Sequence, residues 1–118
     1  MPKSVLVVDD TAFMRTKLKA ILEGIGLTVI GEASDGVQAV EQYKKMKPDI
    51  VTLDITMPVM DGMCALSEIM QYDSKAKVVM VSALGYEDYI VQAIKSGARN
   101  FIIKPFKDDK VREVVSAL

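Results

Sequence analysis

The sequence predicts an α/β domain, a parallel sheet covered by helices on both faces. Three observations carry this. Five short strand-like segments alternate strictly with five segments of helical periodicity. Such alternation implies crossover connections, which leave neighbouring strands parallel. Four apolar runs stop abruptly at polar residues: Val5-Leu6-Val7-Val8 at Asp9-Asp10, Ile50-Val51-Thr52-Leu53 at Asp54, Val78-Val79-Met80-Val81 at Ser82, and Phe101-Ile102-Ile103 at Lys104-Pro105. If these runs are neighbouring parallel strands, their polar ends meet on one edge of the sheet.

The elements follow in order. After the first run, Met14, Leu18, Ile21 and Leu22 share one helical face, and Gly24 and Gly26 end that helix. Leu27 to Ala33 is mixed in polarity and reads as a strand near a sheet edge. Ser34 or Asp35 can cap a second helix with Val37, Val40, Tyr43 and Met46 inward. Pro48 follows it and leads into the run Ile50 to Leu53. Asp61 and Gly62 open a third helix, with Leu66, Ile69 and Met70 inward. Tyr72 to Lys77 is a polar connection to the run Val78 to Val81. A fourth helix, from about Tyr86 to Ser96, is expected to bury Ile90 and Ile94, and Gly97 ends it. The last helix places Val111, Val114, Val115 and Leu118 on one face, with Asp108 and Asp109 near its positive N-terminus.

At 118 residues the chain suits one domain, residues 1–118, with no room for an output domain after the fifth helix. Fifteen basic and sixteen acidic residues give a net charge of -1, which favours neither nucleic acid nor an anionic membrane. No apolar run approaches the roughly 20 residues of a membrane span. The start, Met1-Pro2-Lys3-Ser4, enters a strand-like run directly, unlike a signal peptide. A cytoplasmic location is expected. Cys64 is the only cysteine, which excludes an internal disulfide, and it reads as a small buried side chain on the third helix. There is no histidine, so histidine-dependent triads and His-ligated zinc are excluded, and any phosphohistidine must belong to a partner.

In open α/β sheets, ligands bind at the carboxyl ends of the strands. Asp9, Asp10, Asp54, Ser82 and Lys104 all stand at such ends. Three gathered carboxylates repel one another and need a cation. Oxygen ligands without His or Cys suit a hard cation, Mg²⁺, with Asp10 and Asp54 as direct ligands and Asp9 acting through a water. The competing use of Asp9 and Asp10 is as caps of the first helix. A carboxylate attacks an anionic phosphoryl group only when that charge is neutralised. A cation and Lys104 would do this, and Ser82 can donate a hydrogen bond to a phosphoryl oxygen. Phosphoryl transfer needs positioning and electrostatics more than acid–base help, so the lack of histidine is no obstacle.

These residues resemble those of bacterial response-regulator receiver domains along the full chain. The resemblance rests on Val7-Val8-Asp9-Asp10, on Asp54 to Gly62 (Asp-Ile-Thr-Met-Pro-Val-Met-Asp-Gly), on Val81-Ser82-Ala83 and on Lys104-Pro105-Phe106. It implies a doubly wound (βα)5 flavodoxin-like sandwich with sheet order 2-1-3-4-5, an order for which the chemotaxis receiver is itself a standard example. It also implies roles. Asp54 would be the phosphoacceptor. Asp9, Asp10, Asp54 and the Thr56 carbonyl would hold Mg²⁺. Lys104 would pair with the phosphoryl group, and Ser82 would hydrogen-bond it. Phe101 would be the aromatic switch residue, without the hydroxyl of the Tyr many relatives carry there. A cis Lys104–Pro105 bond is implied as well. Pro58 and Gly62 would shape the loop after Asp54, with Gly62 free to take positive φ. Met57 and Met60 would pack beneath it.

Among receivers, Asp10-Thr-Ala-Phe-Met-Arg15, Asp54-Ile-Thr-Met-Pro58 and Ser82-Ala-Leu-Gly85 are most similar to stand-alone chemotaxis proteins of the CheY type. The resemblance implies a monomeric, phosphorylation-activated switch, not an enzyme with substrate turnover. A sensor histidine kinase would phosphorylate it and a flagellar motor switch protein would be its target. Three rivals remain at this point. One is a phosphorelay intermediate. The second is a Mg²⁺-dependent phosphohydrolase, disfavoured by short loops with little room for a lid. The third is a flavodoxin-like electron carrier, disfavoured because Asp9-Asp10 would repel a flavin phosphate.

Overall fold

The computed structural model describes residues 3–118; Met1 and Pro2, part of the argument about the chain's start, lie outside them. Ten elements alternate: β1 (Ser4–Val8), α1 (Ala12–Gly24), β2 (Thr28–Ala33), α2 (Gly36–Met46), β3 (Ile50–Leu53), α3 (Gly62–Tyr72), β4 (Val78–Ser82), α4 (Glu87–Lys95), β5 (Asn100–Ile103) and α5 (Asp108–Ser116). All strand pairs are parallel and the order is β2-β1-β3-β4-β5. The edge position of β2 matches its mixed burial.

Strand side chains alternate between faces, so each central strand feeds two cores. Leu6, Val8, Val51, Leu53, Val78 and Met80 point to one side, where they meet α2, α3 and α4. Val5, Val7, Ile50, Val79 and Val81 point to the other, onto Leu18, Ile21 and Leu22 of α1 and Val111, Val114 and Val115 of α5. Both faces being covered explains why β1, β3 and β4 are buried almost throughout and largely apolar.

The first three helices start at side-chain caps. Thr11, not Asp9 or Asp10, caps α1 by accepting from the Met14 N–H at 3.4 Å. Asp35 caps α2 through the Gln38 N–H at 2.8 Å, and Asp61 caps α3 through the Cys64 N–H at 2.9 Å. Gly26 and Gly97 take left-handed φ of 89° and 111° just beyond α1 and α4, as helix terminators do.

Some expectations about burial are corrected. Cys64 is exposed: the buried stripe of α3 runs through Gly62, Ala65, Leu66 and Ile69, and Cys64 lies off that stripe. Met70 and Leu118, expected on inward faces, do pack against the two cores, though each is half-buried. Met46 is exposed and lies over Gly31 of the edge strand. Ile94 is 46% exposed and Ala93 is the buried residue of α4, because this helix packs at the β5 edge, where the sheet covers only a narrow stripe.

Gly62 is also needed for a different reason than expected. It has no positive φ; instead a Cβ there would collide with the carbonyl oxygen of Asp54. The Gly62 N–H donates to the Ile55 carbonyl at 2.7 Å, so the start of α3 sits directly on the end of β3. The left-handed residue of this loop is Val59, at φ 68°, a costly conformation for a β-branched side chain. Met57 is buried and Met60 packs against the same core, as expected.

Candidate functional site

Strand order reverses between β1 and β3, the position at which open α/β sheets form a crevice. Asp9 and Asp10 follow β1, Asp54 follows β3, Ser82 ends β4 and Lys104 follows β5. Parallel pairing brings these ends level: Val8 is opposite Leu53, and Ser82 is opposite Ile103.

Carboxylate oxygens of Asp9, Asp10 and Asp54 lie within 4.8 Å of one another. Asp9 and Asp54 are buried and Asp10 is exposed. The Lys104 ammonium enters this group and donates to Asp9 Oδ2 at 2.7 Å and to Asp54 Oδ2 at 3.3 Å. Asp9 Oδ1 accepts from the Thr11 N–H and hydroxyl at 2.9 and 3.0 Å. Asp54 Oδ1 accepts from the Ile55 N–H at 2.7 Å. The Ser82 hydroxyl oxygen accepts from the Leu84 N–H at 3.2 Å, which leaves its proton to be donated elsewhere. The Lys104 N–H donates to the Ser82 carbonyl at 2.9 Å, tying the last two strand ends together.

Burial pushes the Asp54 carboxyl above its ordinary value; the Lys104 ammonium opposes this, while the Asp9 charge adds to it. Burial alone would lower Lys104. Its hydrogen bond to Asp9 and the charges of Asp54 and Asp9 outweigh that and hold it above the usual lysine range. With its carboxylates ionised the cluster carries three negative charges against one positive, an excess that one divalent cation would balance. The donor set is all oxygen, which suits a hard cation. The group could hold a metal.

Of the expected site residues, Asp9, Asp10, Asp54 and Lys104 come together. Ser82 stands at the adjoining strand end. Thr56 is exposed in the loop two residues beyond Asp54. Phe101 lies outside the cluster: it is buried opposite Met80, in the core beneath α2, α3 and α4. The Lys104–Pro105 bond is cis.

Two residues next to the cluster were given no role in the sequence reading. Arg15 Nη1 donates to the Asp9 carbonyl at 2.7 Å, and Arg15 Nε donates to Glu32 Oε1 at 3.1 Å. A signal was available: Arg15 sits early in α1, where a cation opposes the helix dipole and needs an anionic or carbonyl partner.

Comparison with known proteins gives the family and the fold. The model of the response regulator receiver domain family matches residues 5–116. The chemotaxis protein CheY of Thermotoga maritima is 52% identical over 116 residues, covering 98% of this chain and 97% of that one. The Bacillus subtilis CheY is 50% identical with the same coverage. A crystal structure of a CheX–CheY complex with BeF3 and Mg²⁺ from Borrelia burgdorferi contains a chain of similar fold. It has a TM-score of 0.97 and 44% identity, covering 99% of this chain and 89% of that one. Among the described residues, no helix is long and apolar enough to cross a membrane. The chain belongs to the response-regulator receiver domain family and is a CheY-like two-component signalling switch.

Proposed function

We propose that the protein accepts a phosphoryl group on Asp54 from the phosphohistidine of a sensor histidine kinase and then binds a flagellar motor switch protein. The observation that carries this reading is the convergence of Asp9, Asp10 and Lys104 on the buried carboxylate of Asp54. Asp9, Asp10, Asp54 and the Thr56 carbonyl would hold Mg²⁺. When bound, the cation neutralises charge on the attacking carboxylate and the phosphoryl oxygens.

Asp54 is oriented by the Ile55 N–H on Oδ1, leaving Oδ2 beside Lys104. A carboxylate oxygen attacks phosphorus, the P–N bond to histidine breaks, and the histidine leaves with the bonding pair. The product is an acyl phosphate. Lys104 stands where it can exchange its contact with Asp54 for a phosphoryl oxygen, and Ser82 has a hydroxyl proton to offer another. Water later cleaves the acyl phosphate and restores the carboxylate.

Signal output follows from Ser82. A move of its hydroxyl toward the phosphoryl group draws on the Leu84 N–H and shifts the loop between β4 and α4. Phe101 occupies the core space beside that loop and supplies bulk, not a hydroxyl. The phosphorylated state is thereby favoured over a pre-existing alternative, and the face formed by α4, β5 and α5 changes shape. The relatives named as chemotaxis proteins support chemotaxis as the process in which this target would act.

Incubation with acetyl phosphate and Mg²⁺, followed by intact mass measurement, tests the reading. One added phosphoryl group is expected, absent in Asp54→Asn and absent without Mg²⁺. Equal labelling of the Asp54→Asn protein would show that another residue is the acceptor.

A further inference from the structure

Arg15 stands in the first half of α1, near the positive end of the helix dipole. A guanidinium is disfavoured there unless something holds it, and here it is held twice. One nitrogen donates to the Asp9 carbonyl at 2.7 Å, and another donates to Glu32 on the edge strand β2 at 3.1 Å. The Asp9 carbonyl belongs to the peptide unit that joins Asp9 to Asp10. The Asp9 side chain is already fixed by Thr11 and Lys104. Asp10 differs: it is exposed, and no hydrogen bond among the described residues restrains its carboxylate. Its place in the acidic cluster therefore depends on the orientation of the peptide that precedes it, and Arg15 holds that peptide.

We propose that Arg15, aimed by Glu32, is a positioning residue for the cation site: it fixes the Asp9–Asp10 peptide and, through it, the Asp10 carboxylate. The role rests on the cation reading given above. It makes a prediction opposite in sign to simple electrostatics. Removing a positive charge beside three carboxylates should tighten cation binding by Coulomb attraction. Removing a positioning group should weaken it, as loss of groups that orient metal ligands does, by about tenfold or more.

The test is calorimetric titration of the full chain with Mg²⁺, with thermal melts of each variant as a control on folding. Arg15→Ala is expected to bind Mg²⁺ about tenfold more weakly than wild type. Glu32→Ala should also bind more weakly, and the double variant no more weakly than Arg15→Ala, because Glu32 acts through Arg15. Equal or tighter binding by a folded Arg15→Ala overturns the proposal. Should that variant not fold, Glu32→Ala decides, and an affinity within twofold of wild type overturns it. A wild-type chain with no saturable Mg²⁺ uptake removes the cation reading and this role together. Saturable wild-type uptake with unchanged variants removes the role of Arg15 alone.

Discussion

Replacing Lys104 with Met retains most of the side-chain volume and deletes the one ammonium in the acidic cluster. The cost can be worked from burial. The Asp9 side chain is 1% exposed, that of Asp54 7% and that of Lys104 16%. Removing one partner of a buried ion pair costs about 3–5 kcal/mol, because the other charge is left unpaired. Two factors place this case near 3 kcal/mol: a carboxyl can relieve the strain by taking a proton, and Lys104 retains some solvent contact. At about 2.1 cal/mol/K of unfolding entropy per residue, a chain of this length loses about 4 °C of melting midpoint per kcal/mol. The expected drop is about 12 °C at pH 7, followed by circular dichroism. Acidification should shrink the deficit. Without Lys104 the folded carboxyls bind protons more tightly, so their penalty is absent at low pH and grows as pH rises. Millimolar Mg²⁺ should restore part of the loss, since it supplies the missing positive charge. A midpoint within 3 °C of wild type at pH 7 would refute the claim that Lys104 is the internal counter-ion.

Thr52 in β3 is buried and its hydroxyl has no hydrogen-bond partner among the described residues. Thr52→Val keeps the shape and removes the unsatisfied group, so it should stabilise the fold by about 1 kcal/mol; a urea midpoint below that of wild type would contradict this. Asp54→Asn should stabilise the protein in a pH-dependent way. The folded Asp54 carboxyl is raised, chiefly by burial, so its contribution to stability is full below the unfolded value and is lost as pH rises through the folded one. The advantage of the variant should be small at pH 4 and grow toward pH 7. A gap between the two melting curves that stays constant with pH would exclude this cause.

The sequence made the sheet legible because β1, β3 and β4 are covered on both faces and must be largely apolar. The candidate site was legible for a related reason. Parallel strands deliver their following residues to one edge, so the polar groups after the apolar runs had to converge. Side-chain phase on the helices was less legible. Cys64 and Ile94 are apolar enough to be buried, but each lies outside the stripe that its helix turns inward. Local backbone chemistry was harder still. Asp9 looked able to cap α1, yet its carboxylate instead binds Thr11, which becomes the cap. Gly62 looked like a torsional requirement and proved to be a matter of clearance from Asp54. Nothing in the local pattern marks Val59 for a left-handed conformation. The Arg15–Glu32 pair joins residues seventeen apart, and that contact exists only because β2 lies beside β1.

The light mooring of α4 has a further consequence. Its only fully buried side chain is Ala93, whereas α1 and α5 each anchor through three large aliphatic ones. Displacing α4 strips little apolar area from cover, so it can shift at a small fraction of the free energy needed to open the rest of the molecule. Under the proposed function, an acyl phosphate on Asp54 would therefore be able to reset this helix and leave both hydrophobic layers intact.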